Sequence, residues 1–316
     1  MSYADIALGL ILVGLSAYLL FGGADFGAGL WHLVSPQRAD KRVIEHAMGP
    51  LWEANHVWLI FVMVMTWTAF PPVFADVTAT HWVPLSLAAL GIVARGSTFV
   101  FAKAVPDQGW YRWIFGISSV VTPYCLGSVA AAIATGAPGW LSSAGVYGGV
   151  LTTVLCAYLA AVYLIWDARR LGSNGSALRF RGYALLSGVA VGLLALPGAA
   201  ALGVHSPLIL LSAAAGLVSL VLLTRGAYLA VRVTGALAVA TVLWGAAEMA
   251  HLDLDAAAAH DAVLRIVLIA LAVGALILVP SMAWLFVLFQ RSSQPGHAQP
   301  GHAQAGGARA GGAPSP

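Results

Sequence analysis

Gly49-Pro50-Leu51-Trp52-Glu53-Ala54-Asn55-His56-Val57-Trp58 opens an apolar run that continues from Leu59 to Phe74. An acid therefore stands at the head of a membrane-length segment. If Trp52 to Trp58 is helical, Asn55 and His56 are i+3 and i+4 neighbours of Trp52, and Glu53 shares a face with His56 and Val57. A carboxylate, an imidazole and an amide then lie close together. Two readings follow. An ionisable group at membrane depth is costly and usually faces a protein interior or a water path, which points to proton handling. Alternatively Glu53 is a helix-start charge favoured by the helix dipole, with Trp52 and Trp58 as interfacial belt aromatics.

The surrounding composition settles the class of protein. Of 316 residues, 60% are hydrophobic and only 9% are charged, and the mean hydropathy is +0.87. This excludes an ordinary soluble domain and indicates an all-α polytopic membrane protein. The net charge of +3 does not indicate a nucleic-acid partner, because the basic residues are spread over several short connections. Cys125 and Cys156 fall in apolar runs without metal-ligand spacing and read as small packing residues. Residues Met1 to Asp5 show no basic leader, so the first apolar run is expected to be retained.

Hydropathy predicts about nine spans, at about 6–31, 54–75, 82–103, 113–136, 144–166, 183–204, 206–223, 228–250 and 262–289. Basic residues test the count. Arg38, Lys41 and Arg42 follow the first span, Lys103 and Arg112 the third, Arg169, Arg170, Arg179 and Arg181 the fifth, Arg225 and Arg232 the seventh, and Arg291 the last. The intervening connections carry Asp76, Asp253, Asp255 and Asp261 instead, with Arg265 the one exception at the start of the ninth span. This alternation places the N-terminus outside and the C-terminus in the cytoplasm. A basic loop at 167–182 is expected to divide a first helical half, 1–166, from a second, 183–291. The tail at 292–316 is rich in Gly, Ala and Pro and is predicted to be disordered.

Three charged residues lie in the inner half of the first helices. At about 1.5 Å per residue, Asp25 and Arg95 each sit about 13 Å from the inner side, and Glu53 enters from that side. Two carboxylates and one arginine can keep a proton-accepting group available, since the arginine stays charged while one acid titrates. Equally, Arg95 can pair structurally with either acid to avoid an isolated buried charge. Glycines at 22, 23, 27 and 29 around Asp25 allow another helix or a cofactor to approach closely. Haem would need axial ligands within the spans. His32, His46, His81, His205, His251 and His260 fall at span ends or in connections, which leaves His56 and makes this chain a poor haem carrier.

The Gly23-Ala24-Asp25-Phe26-Gly27 segment, followed by Pro50-Leu51-Trp52-Glu53-Ala54-Asn55-His56-Val57-Trp58-Leu59, resembles subunit II of the cytochrome bd-type quinol oxidases, the cyanide-insensitive type included. Arg95-Gly96 is similar to that family's arginine in the third span. The resemblance is strongest over the first hundred residues or so. It implies two four-helix bundles plus a peripheral helix. It also implies a partner, subunit I, that carries haems b and d, or b alone, binds quinol and reduces oxygen to water. Small single-helix accessory subunits accompany some members, and the location is the bacterial cytoplasmic membrane. By the same resemblance Glu53 and Asp25 are proton-pathway carboxylates, Arg95 is their ion-pair partner, and Trp52 matches a tryptophan associated with a structural quinone in some members. No catalytic residue, metal or cofactor is expected on this chain itself. The alternative is a proton-coupled secondary transporter using Asp25, Glu53 and Arg95 as its coupling site.

Overall fold

A computed structural model describes residues 2–48, 52–101, 109–202, 206–249 and 253–292. Every regular element among them is a helix: α1 Tyr3–Val34, α2 Arg38–Met48, α3 Trp52–Ala69, α4 Pro71–Thr80, α5 Trp82–Phe101, α6 Gly109–Thr135, α7 Ser143–Arg170, α8 Asn174–Leu202, α9 Pro207–Thr224, α10 Tyr228–Met249, α11 Leu254–Ala257 and α12 Asp261–Ser292. The chain forms two compact units, Met1–Arg265 and Ile266–Pro316. The first contains α1 to α11 and the opening of α12. The second contains the rest of α12, which accommodates Pro280.

Six helices are long and apolar enough to cross a membrane among the described residues, and a seventh span arises if α3 and α4 are joined. That pair corrects one expectation. The span anticipated at 54–75 breaks after Ala69 and turns through 119° into α4. Phe70 leaves the helical region, with φ −134° and ψ 62°, because Pro71 disfavours helical geometry in the residue before it. The 167–182 stretch is likewise mostly helical. α7 runs to Arg170 and α8 starts at Asn174, so only Leu171 to Ser173 turn, with Gly172 at φ 68°. The first connection also holds an unanticipated helix, α2. The expected disordered tail, apart from Ser292, lies outside the described residues.

α1 packs against α3, α6 and α7, and α7 in turn packs against α6 and α8. Close approach of α1 and α7 requires small residues: a Cβ at Gly27 would collide with the Cys156 carbonyl. Buried Trp31 anchors the same seam, donating from Nε1 to the Ala157 carbonyl at 2.8 Å and stacking on Tyr183 with centroids 4.5 Å apart. Farther along the core, the Tyr158 hydroxyl meets Ser219 Oγ at 2.7 Å, and Ser219 donates to the Val231 carbonyl, joining α7, α9 and α10. Such bonds satisfy polar groups that lipid cannot.

The basic connections gather at one end of this unit. Arg179 on α8 forks onto Asp40 of α2 at 2.5–3.1 Å, while Ser35 donates to the same carboxylate at 2.9 Å. Arg169 reaches Tyr228, and Arg181 donates to the Thr224 carbonyl. Burial raises the Asp40 pKa, but hydrogen bonds from Arg179, Ser176 and Ser35 together with the Arg179 charge outweigh it, so the carboxyl lies below its ordinary range.

Two outcomes follow. Gly27→Val should lower the apparent melting temperature in detergent by several degrees, since overpacking costs about 1–3 kcal/mol, whereas Gly9→Ala, with open space at Cβ, should be neutral. Asp40→Asn should destabilise by about 2 kcal/mol at neutral pH. Because the folded pKa is depressed, that contribution is complete above the unfolded value of about 3.9 and disappears as pH falls through the folded one. Thermal melts of parent and variant should therefore differ at about pH 7 and converge below about pH 4.

A buried aspartate and arginine at the meeting of four helices

Asp25 lies in the middle of α1, flanked by glycines, and Arg95 lies on α5. Arg95 is fully buried, and the Asp25 side chain is 3% exposed. Arg95 Nη2 donates to Asp25 Oδ1 at 2.8 Å and to the Asp25 carbonyl at 2.7 Å, while Nε donates to Oδ2 at 3.2 Å. The fork is bidentate, a geometry that matches a guanidinium to a carboxylate. Nη1 donates to Ser119 Oγ on α6, and Ser119 donates to the Phe115 carbonyl at 2.6 Å. The Arg95 guanidinium also lies over the Phe115 ring, 4.3 Å from its centroid, and 5.4 Å from that of Phe26. Gly29 is what admits it: a Cβ there would run into Ser119 Oγ and Arg95 Nη1.

α3 is the fourth helix of the site. Buried Asn55 donates from Nδ2 to the Phe21 carbonyl at 3.2 Å, one turn before Asp25. His56 is half-buried within electrostatic reach of Asp25 and Arg95. Trp52 and Glu53 form the first turn of this helix, but their side chains lie outside the described residues. The structure therefore brings Asp25 and Arg95 together and docks the start of α3 beside them. Of the two acids with which Arg95 was expected to pair, Asp25 is the one on which the structure shows it.

Between α1 and α7 a cavity of about 90 Å³ reaches the same aspartate. Asp25 of α1, Tyr163 and Asp167 of α7 and Ala47 of α2 are among the residues that line it. Its wall is almost wholly apolar. Three participants were not singled out from sequence. Ser119 and Phe115 lie in a span without charge, and only the i+4 spacing of the two residues hints at a shared face. Asp167 was assigned to a connection. Among the described residues, no three His, Cys, Asp or Glu side chains gather as a metal site.

The profile of the cytochrome bd terminal oxidase subunit II family matches residues 3–289. The chain belongs to that family. It is 26% identical over 163 residues to cytochrome bd ubiquinol oxidase subunit 2 of Bacillus subtilis, covering 46% of this chain and 48% of the relative. It is 25% identical over 134 residues to cytochrome bd-I ubiquinol oxidase subunit 2 of Escherichia coli K12, covering 41% and 35%. The matches thus span about half or less of those relatives. A chain of the bd oxidase structure from Geobacillus thermodenitrificans superposes with a TM-score of 0.67 at 21% identity, covering 92% of this chain and 99% of that one. The fold is therefore shared with that chain along nearly the whole length, and the chain is a multi-pass membrane protein.

Removing one partner from a buried pair leaves an uncompensated charge, at a cost of about 3–5 kcal/mol. Arg95→Leu should abolish recovery of folded protein from membranes. Arg95→Leu combined with Asp25→Leu should restore a substantial part of it. Fluorescence-detected size-exclusion chromatography measures both.

Proposed function

We propose that this chain is the haem-free subunit II of a bd-type terminal oxidase in the bacterial cytoplasmic membrane. It forms a heterodimer with a subunit I that oxidises quinol and reduces oxygen to water. The family match over residues 3–289 carries this reading. Haem b with haem d, or haem b alone, would belong to the partner and supply the electron transfer and oxygen chemistry there. Small accessory helices and a structural quinone near Trp52 fit the same assembly. The nine spans, as two four-helix bundles with a peripheral helix, would place the basic end in the cytoplasm, in keeping with the basic cluster formed by α2, α7, α8 and α10.

This chain would then guide cytoplasmic protons toward the partner. Arg95 is tied to Asp25 through two direct hydrogen bonds from its guanidinium to the two carboxylate oxygens. The pair is held on three sides by Ser119, Phe115 and Phe26, so it forms a fixed electrostatic centre. Glu53, in the first turn of α3, is the group proposed to take up and release protons beside it. Asn55 fixes that turn against α1. Each oxygen reduced to water consumes protons, and taking them from one side of the membrane makes a gradient without a pump.

Glu53→Gln should slow quinol-driven oxygen uptake by about tenfold or more while the complex still assembles, because proton transfer by a positioned acid is worth about 10²–10⁴-fold when fully lost. Glu53→Asp should be mild. Equal turnover of Glu53→Gln and parent complexes would remove Glu53 from the proton route.

A further inference from the structure

His32 stands two helical turns beyond Asp25 on α1, on the face that also carries Gly29. It is 5% exposed, yet it reaches outward: Nε2 lies 3.1 Å from Oε1 of Glu45 on α2, and Glu45 is 60% exposed. The other ring nitrogen, Nδ1, is buried with no hydrogen-bond partner among the described residues. The imidazole ring meets Phe115 edge-on, with centroids 5.7 Å apart. Arg95 covers that same Phe115 ring, and Ser119 bonds to the Phe115 carbonyl. A solvent-exposed carboxylate, a buried imidazole with one unused nitrogen and the buried Asp25–Arg95 pair therefore follow one another from the basic end inward.

We infer that Glu45 and His32 form the proton-collecting dyad at the mouth of this route, His32 relaying protons from solvent toward the Asp25–Arg95 centre. The inference rests on the proton-conducting role proposed above. Glu45 collects a proton at the surface and His32 takes it at Nε2. The ring, which starts with its one proton on Nδ1, then gives that proton to water on the inner side and is left protonated at Nε2, and a turn of the ring that exchanges the two nitrogens restores the starting tautomer. No electron moves, and the net change is one proton carried from solvent to the interior. An imidazole suits this step because its charge change falls between about pH 5 and 8. The titratable and charged groups on the elements meeting there are Arg38, Asp40, Lys41, Arg42, Glu45 and His46 on α2, Asp25 on α1, Arg95 on α5, Arg112 on α6 and Asp167, Arg169 and Arg170 on α7. Within that set Glu45 is the one the structure shows bonded to the ring. The amphipathic α2 has a corresponding purpose, which is to hold a carboxylate over the end of α1.

The test is the pH profile of quinol-driven oxygen uptake by the purified complex, comparing the parent with Glu45→Gln, Glu45→Asp and His32→Gln. Glu45→Gln keeps shape and hydrogen bonding but removes the carboxylate that collects the proton. Turnover at about pH 6 should stay within about twofold of the parent, and at about pH 8 it should fall about three- to tenfold, the alkaline limb moving to lower pH. Glu45→Asp should restore most of the profile. His32→Gln should show the alkaline loss, and if it fails to assemble, the exposed Glu45 variants still decide. Unchanged profiles in Glu45→Gln and His32→Gln, while Glu53→Gln slows turnover, would overturn the dyad and leave the broader proton reading standing. A shift produced by Asp167→Asn and by neither dyad variant would also overturn it, assigning uptake to the α1–α7 cavity. Indifference of Glu53→Gln as well would remove both.

Discussion

A guanidinium and a carboxylate buried together within a membrane bundle constrain everything packed around them, because neither can be left alone there. Arg95 supplies donors to both Asp25 oxygens, to the Asp25 carbonyl and to Ser119, and its flat faces are covered by aromatic rings. Meeting those demands fixes the distance between α1 and α5, the rotation of α6 and the bare Cα at position 29. The glycines of the Gly22 to Gly29 segment serve the same end on other faces, Gly27 letting the backbone of α7 approach. The pair is thus a packing element before it is a chemical one. Its chemistry follows from the fixed charge it presents to neighbours such as His56 and to the first turn of α3.

The second organising feature is the basic end. Asp40, fully buried by Arg179, Ser35 and Ser176, ties α2 to α8 and sets α2 across the end of α1. The ends of the longest central helices are therefore braced by polar contacts outside the apolar core, where such contacts can be made without lipid exposure. One consequence is that α2 holds Glu45 against His32, so an element that looks like a connection determines what solvent can reach.

Much of this was legible in the residues. Apolar runs separated by alternating basic connections indicate a polytopic helical protein, and Asp25, Glu53 and Arg95 stand out as charges in spans where charge is expensive. The motif around Glu53 indicated the family now shown by the match over residues 3–289. Other features depend on tertiary context. Hydropathy continues through Phe70 to Phe74, so it hides the turn that Pro71 imposes. Helix extensions past the apolar edge carry arginines, so hydropathy ends α7 early and starts α8 late. Ser119 has no charge to mark it, and its importance comes from the arginine on a neighbouring helix. His32 was read as an ordinary span-end histidine, because its burial and its contact with Glu45 require α2 to fold back over α1.

The central claim is that this chain serves redox chemistry performed on a companion subunit. Purifying the complex in mild detergent through a tag on this chain, then recording its absorption spectrum and its quinol-dependent oxygen uptake, tests that claim most directly. The account requires haem absorption that travels with a second large polypeptide, stays with that polypeptide when the two are separated, and accompanies oxygen uptake driven by quinol. A colourless chain recovered alone under conditions that preserve membrane complexes would contradict it.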